Sequence, residues 1–211
     1  MKYRFFAGAA AIAILAGCQA EEVQVKLSAE DIMRAADGQT VYVDFNAEVG
    51  ETYTTVDEEK RDTIAKVMRL MERYFPDSDV DSDIGSDEYT IELDGELRMS
   101  TEAPLKDAPW YVAVEYDRVM NGYLVSLKPS DSFDAFNGAM EGINFMLGPD
   151  EYQPVKYRIT GDQGTIVFGG GFLDGRAVTA GAVPLTGERL NLSFGEGVWT
   201  ATGGGFYYIP E

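Results

Sequence analysis

Apolar and polar residues alternate in one short run after another along this chain, and that period of two limits what it can fold into more than any other feature. "QTVYVDFNAE", residues 39–48, places Val41, Val43 and Phe45 on one side of an extended backbone. The pattern returns in "YTIEL" and "ELRMS" between residues 89 and 100, in "WYVAVEYDR" from 110 and in "YLVSLK" from 123. A Gly-rich tail continues it with "VKYRIT", "TIVF", "RAVTAGAV", "RLNLSF", "VWTAT" and "FYYIP". Runs of this kind are strands with one buried face. Turn residues suggest how they pair. Asn121-Gly122 reads as a two-residue hairpin loop, with Tyr116 opposite Leu127 and Glu115 opposite Lys128. Asp94-Gly95 reads as a turn that sets Ile91 against Met99, and "GDQG" as one that sets Tyr157 against Phe168.

Three segments switch to the helical period. Ser28 is a good N-cap with Asp31 three residues on, and Gly38 is a stop, so a short helix is expected over 29–36. Thr55 and Glu58 have capping-box spacing. After them Ile64, Val67, Met68, Met71, Tyr74 and Phe75 fall three and four apart until Pro76 ends the run. Phe133, Phe136, Met140, Ile143 and Leu147 form another apolar face, closed by Gly148-Pro149. The expected fold is α+β: a twisted, mainly antiparallel sheet packed against two amphipathic helices, in a single domain over 28–211. No linker-like composition divides it.

The chain opens with "MKYRFFAGAAAIAILAGCQAEE". A basic tip at Lys2 and Arg4, a short apolar run and a small-residue cut site make a secretory signal too short to stay in a bilayer. Leu15-Ala16-Gly17-Cys18 resembles the lipobox of bacterial lipoproteins. The resemblance covers residues 1–18. It implies removal of residues 1–17, a lipid on Cys18 and a membrane contact made through that lipid. "QAEEVQVKL", residues 19–27, has little periodicity, so residues 18–27 read as the lipidated Cys and a short tether to the domain. Gln19 stands where an inner-membrane retention signal carries Asp. The resemblance therefore implies the outer membrane, facing the periplasm, in a Gram-negative host.

Charge and residue usage exclude whole classes of chemistry. The chain holds 36 acidic and 17 basic residues, and losing Lys2 and Arg4 with the signal leaves 15 − 36 = −21. That lacks the basic footprint nucleic acid requires. There is no His, and Cys18 is the only Cys. Disulfides, thiolate metal sites, catalytic thiols and Ser-His-Asp triads are out of reach. Carboxylate, Lys, Tyr and Ser–Lys chemistry remain.

One stretch suggests a ligand. In "DSDVDSDIGSDE", residues 77–88, Asp77, Asp79, Asp81, Asp83 and Glu88 occupy the oxygen-ligand positions of a twelve-residue calcium loop. Ser82 stands where that loop needs Gly, and a strand-like run follows where a helix belongs. The alternative is a solvated acidic loop. Glu115 and Asp117 share a strand face as a glycosidase pair could, and Trp110 and Trp199 could stack on sugars. The leading expectation is a lipid-anchored, non-enzymatic binding or assembly module of the cell envelope, with an envelope protein or glycan as partner. The alternative is a carboxylate-dependent hydrolase acting on cell-wall or glycan material.

Overall fold

The computed structural model describes residues 19–52, 55–86, 88–102, 108–143, 155–195 and 204–211. Eleven strands and three helices make up these residues, in the order β1 (Gln19–Ser28), α1 (Ala29–Ala36), β2 (Val41–Thr52), α2 (Glu58–Tyr74), β3 (Asp79–Ile84), β4 (Glu88–Ser100), β5 (Trp110–Asp117), β6 (Gly122–Pro129), α3 (Phe133–Ile143), β7 (Val155–Thr160), β8 (Thr165–Leu173), β9 (Arg176–Pro184), β10 (Leu190–Phe194) and β11 (Gly205–Ile209).

The expected twisted, mainly antiparallel sheet packed against two helices is not what forms. Nine strands close into a barrel in the order β10-β7-β1-β2-β4-β5-β6-β11-β8, and β8 meets β10 to complete the ring. β3 and β9 lie outside it, on β4 and β8 respectively. Closure leaves few open edges and buries a continuous inner face. Val23, Val25 and Leu27 of β1 are buried with Val43 of β2, Leu97 and Met99 of β4, Val112 of β5, Val125 and Leu127 of β6, Ile159 of β7 and Leu192 of β10. At about 1.5–3 kcal/mol per buried large apolar side chain, this shared interior is the main stabilising term. Acidic residues face outward, the reverse of a barrel set in lipid.

Several local expectations change with the closure. Residues 19–27 are no tether: Gln19–Ser28 is a central strand, parallel to β7 and antiparallel to β2. Its short alternation of Val23, Val25 and Leu27 is a buried face that a reading of the segment as unpatterned overlooks. Asp94-Gly95 makes no turn, because β4 runs straight through it and pairs with β2 from Val41↔Met99 to Thr52↔Glu88. A Cβ on Gly95 would collide with Ser78 and sit 3.2 Å from the Phe45 ring, so close approach explains this glycine. β7 and β8 do not pair as a hairpin. β10 lies between them, with Leu192 opposite Tyr157 on one edge and Leu173 on the other.

The β5–β6 hairpin exists in a different register. Tyr116 faces Tyr123 and Asp117 faces Gly122, so the loop spans 118–121. Asp117 Oδ1 accepts the Val119 and Met120 N–H groups at 2.7 and 3.2 Å, and Asn121 has φ +49°. Those bonds satisfy the longer loop and outweigh the Asn-Gly turn preference. The Glu115–Lys128 ion pair nevertheless forms, at 2.7 Å.

The helices attach as amphipathic elements do. Ser28 caps α1 in a full capping box with Asp31, and Gly38 follows at φ +79°. α1 touches β1, β2, β4, β5 and β6 and sends Ile32 into the core. α2 is capped by Asp57, whose side chain accepts the Lys60 N–H at 3.0 Å, so the expected Thr55 box gives way to a cap two residues later. Its Ile64, Val67 and Met71 are buried. Phe75 and α3's Phe136 close on Phe45 and Trp110, the four rings standing 5.5–6.4 Å apart wherever they meet. Leu147 and the strand expected at 198–202 lie outside the described residues.

Candidate functional site

The acidic stretch forms a strand rather than a loop. β3 pairs antiparallel with β4, and its Asp79, Asp81 and Asp83 are exposed on one face while Val80 and Ile84 turn toward the core. Alternate residues of a strand stand roughly 6.6 Å apart, so these carboxylates spread along a line instead of wrapping one point. Asp77 lies in the turn before β3 and Glu88 opens β4, where its carbonyl accepts the Gly85 N–H at 2.9 Å. Among the described residues no group of three or more Asp or Glu is arranged to hold a metal. Across the ladder Asp79 faces Asp94, Asp81 faces Glu92 and Asp44 faces Glu96, which makes the outer face of β2, β4 and β3 strongly anionic. Cys18 lies outside the described residues, one position before β1.

The carboxylates weighed for glycoside chemistry are already engaged. Glu115 holds Lys128. Asp117 is pulled below the usual carboxylate range by the Met120 and Val119 N–H groups, with a further bond from the Tyr207 hydroxyl at 3.2 Å. Burial raises the Tyr207 hydroxyl, and the Asp117 carboxylate adds to the shift. A general acid needs a carboxyl moved the other way. Trp110 is packed in the aromatic cluster and is not placed to stack on a sugar.

What composition and spacing did not reveal is a cleft where the barrel closes. β9 pairs along one edge of β8 from Thr165 to Leu173, passing over Gly170. The opposite edge is shared, with β11 pairing Thr165–Val167 and β10 pairing Phe172 and Leu173. Phe168–Gly171 therefore has no ladder partner on that edge among the described residues. A cleft of about 630 Å³ opens there. Gly169, Gly170, Gly171 and Phe172 of β8 form one wall, and Ala177, Val178 and Thr179 of β9 extend it. Phe194, Gly195, Gly204 and Gly205 form the other.

Its glycines fall into two kinds. A Cβ on Gly171 would come 2.9 Å from the Ser193 carbonyl, one on Gly205 2.8 Å from the Val125 carbonyl, and one on Gly204 would collide with Phe194. These three let strands approach closely. Gly169, Gly170 and Gly195 have open space where a side chain would be, so packing does not account for them. Gly169–Phe172 and Gly204–Phe206, far apart in sequence, come to this seam with opposite outcomes for their phenylalanines. Phe206 is wholly buried and Phe172 is 45% exposed.

No ionisable side chain lines this cleft among the described residues, in a chain of net charge −19. Beneath it Tyr157 crosses the interior, its hydroxyl 2.9 Å from the Gly204 carbonyl. Neither a scan of protein-family models nor a search of curated proteins finds a match to this chain.

Proposed function

We propose that this chain is a lipid-anchored lipoprotein of the cell envelope, and that it binds its target without cleaving it. The seam cleft is its binding site. The observation that carries the reading is the cleft's lining among the described residues, apolar side chains, the Thr179 side chain and bare backbone, in a protein otherwise dense with carboxylates. A cavity of that size and polarity suits a small or slender ligand. Backbone groups left outside the ladder supply polar contacts that fix its orientation. Anchoring rests on the lipobox resemblance at Cys18. If the host is Gram-negative, that resemblance implies the outer membrane, facing the periplasm.

Incubating the purified chain with isolated cell-wall material separates binding from hydrolysis. Binding without release of soluble fragments is expected. Fragment release that disappears in Glu115→Gln or Asp117→Asn would replace this reading with a carboxylate-dependent hydrolase.

A further inference from the structure

Three of the chain's few cations meet at one place on the barrel wall. Val25 and Leu27 of β1, Tyr157 and Ile159 of β7 and Leu190 of β10 are buried in the interior, so the alternate residues Lys26, Arg158 and Arg189 stand on the outer face. Lys26 lies directly opposite Arg158 in the parallel β1–β7 ladder. On its other side Arg158 faces Asn191, two residues after Arg189. Like charges set opposite one another in a sheet oppose pairing. Among the described residues no salt bridge ties any of the three to a carboxylate. The Arg158 Nε is buried and has no hydrogen-bond partner.

The three cations line a cleft of about 290 Å³, together with Ser28, Asp31 and Thr160. The neutral and acidic groups are already committed. Ser28 donates to Asp31 Oδ2 through its hydroxyl at 2.7 Å and its N–H at 2.9 Å, closing the capping box of α1. Thr160 Oγ1 donates to the Leu27 carbonyl at 3.5 Å. The helix N-terminus is therefore served by its own carboxylate, and the cations are left to face the cleft. Three of them against one carboxylate leave a surplus of two positive charges, in a chain whose net charge is −19.

We propose that this cleft binds the phosphoryl group of a soluble phosphate monoester. The surplus matches the charge of roughly −1.5 to −2 that such a group carries near neutral pH. Two guanidinium groups offer planar N–H forks to phosphate oxygens, and Lys26 adds a compact charge. A bound phosphoryl group replaces the opposition of Lys26 and Arg158 by attraction to a shared anion, and it gives the Arg158 Nε an acceptor. A lipid headgroup has the same chemistry. But β1 is ten residues long, roughly 30 Å, and the cleft lies at its Ser28 end, remote from the end that would carry the anchor. The proposal does not depend on the seam cleft.

The test is calorimetric titration of the purified chain with glycerol phosphate near 0.15 M salt, where the chain's negative field is screened beyond about 8 Å. One saturable site is expected. Arg158→Gln should weaken it by about tenfold or more, and Lys26→Gln should weaken it as well. Arg118→Gln removes an exposed cation from the β5–β6 loop and should leave it unchanged. No saturable binding to the wild type would overturn the proposal. So would equal losses in all three variants, which would mean that net charge alone acts. Vesicles of phosphatidylcholine with phosphatidic acid are compared on wild type and Arg158→Gln, so that association through an anchor is common to both. Arg158-dependent binding to these vesicles, without binding of glycerol phosphate, would overturn the soluble ligand in favour of a membrane headgroup.

Discussion

The Tyr157 hydroxyl accepts the Leu127 N–H at 2.7 Å, across the interior of the barrel. β11 begins at Gly205 opposite Ser126, so Leu127 lies one residue beyond the β6–β11 ladder. Tyr157 takes up that amide and donates onward to the Gly204 carbonyl, which stands just outside the same ladder. One side chain satisfies two buried backbone groups at the point where the seam parts.

Tyr157→Phe keeps the ring and removes both bonds. Leaving buried backbone groups unpaired should cost about 1–3 kcal/mol, or on the order of 2–4 °C in Tm per kcal/mol for a chain of this size. Calorimetry on the two proteins reads this directly, and an unchanged Tm would mean that water or a neighbour already serves those groups.

The same residue sets an alkaline limit. Burial holds the Tyr157 hydroxyl well above its ordinary value. The fold thus favours the neutral phenol, so its contribution is complete below the unfolded value near ~10 and is lost as pH rises beyond it. Urea midpoints followed upward from pH 9 should fall more steeply for the wild type than for Tyr157→Phe. Tyr111 and Tyr208 are also raised by burial and keep some slope in the variant. Parallel curves would show that Tyr157 is not the group responsible.

The two kinds of glycine at the seam should respond oppositely to a methyl group. Gly204→Ala drives a Cβ into Phe194 and should destabilise by about 1–3 kcal/mol. Gly169→Ala enters open space and should be neutral or gain up to about 1 kcal/mol from a less flexible unfolded chain. Equal losses at both positions would mean that the cleft wall is packed.

How much of this was legible beforehand depended on distance along the chain. The Ser28–Asp31 capping box, the Ile64-Val67-Met71 stripe and most strands show in local spacing, because a neighbour three or two residues away decides them. The barrel does not. Its closure rests on β1 beside β7, β6 beside β11 and β10 between β7 and β8, pairings that no short window contains. Asp94-Gly95 has the chemistry of a turn, yet twelve consecutive pairs between β2 and β4 override it. The cleft was invisible for the same reason. Its walls come from Gly169–Phe172, Ala177–Thr179, Phe194–Gly195 and Gly204–Gly205, and only the shared edge of β8 brings them together.

The anionic face of β2, β4 and β3 should be electrostatically strained. Asp81 stands opposite Glu92, and like charges in that position oppose pairing. Asp81→Lys should raise stability by about 0.2–1 kcal/mol in low salt. The gain should shrink in 1 M salt, where screening acts within about 3 Å. A variant less stable than wild type in low salt would show that the face is balanced by something else.

Calcium provides a separate check on the same strand. Carboxylates spread along β3 should attract calcium and magnesium diffusely and to similar extents. Calorimetric titration with each ion is therefore expected to give no saturable single site. A calcium-selective site lost in the Asp77→Ala/Glu88→Ala variant would require residues 77–88 to leave the strand and wrap the ion.

The central claim is that a lipid on Cys18 fastens this barrel to the envelope, and the mass of the N-terminal peptide from protein extracted from the envelope tests it most directly. The prediction is a peptide that begins at Cys18 and carries the added mass of a diacylglycerol. A peptide with an unmodified Cys18, or a mature chain that begins elsewhere, would contradict it.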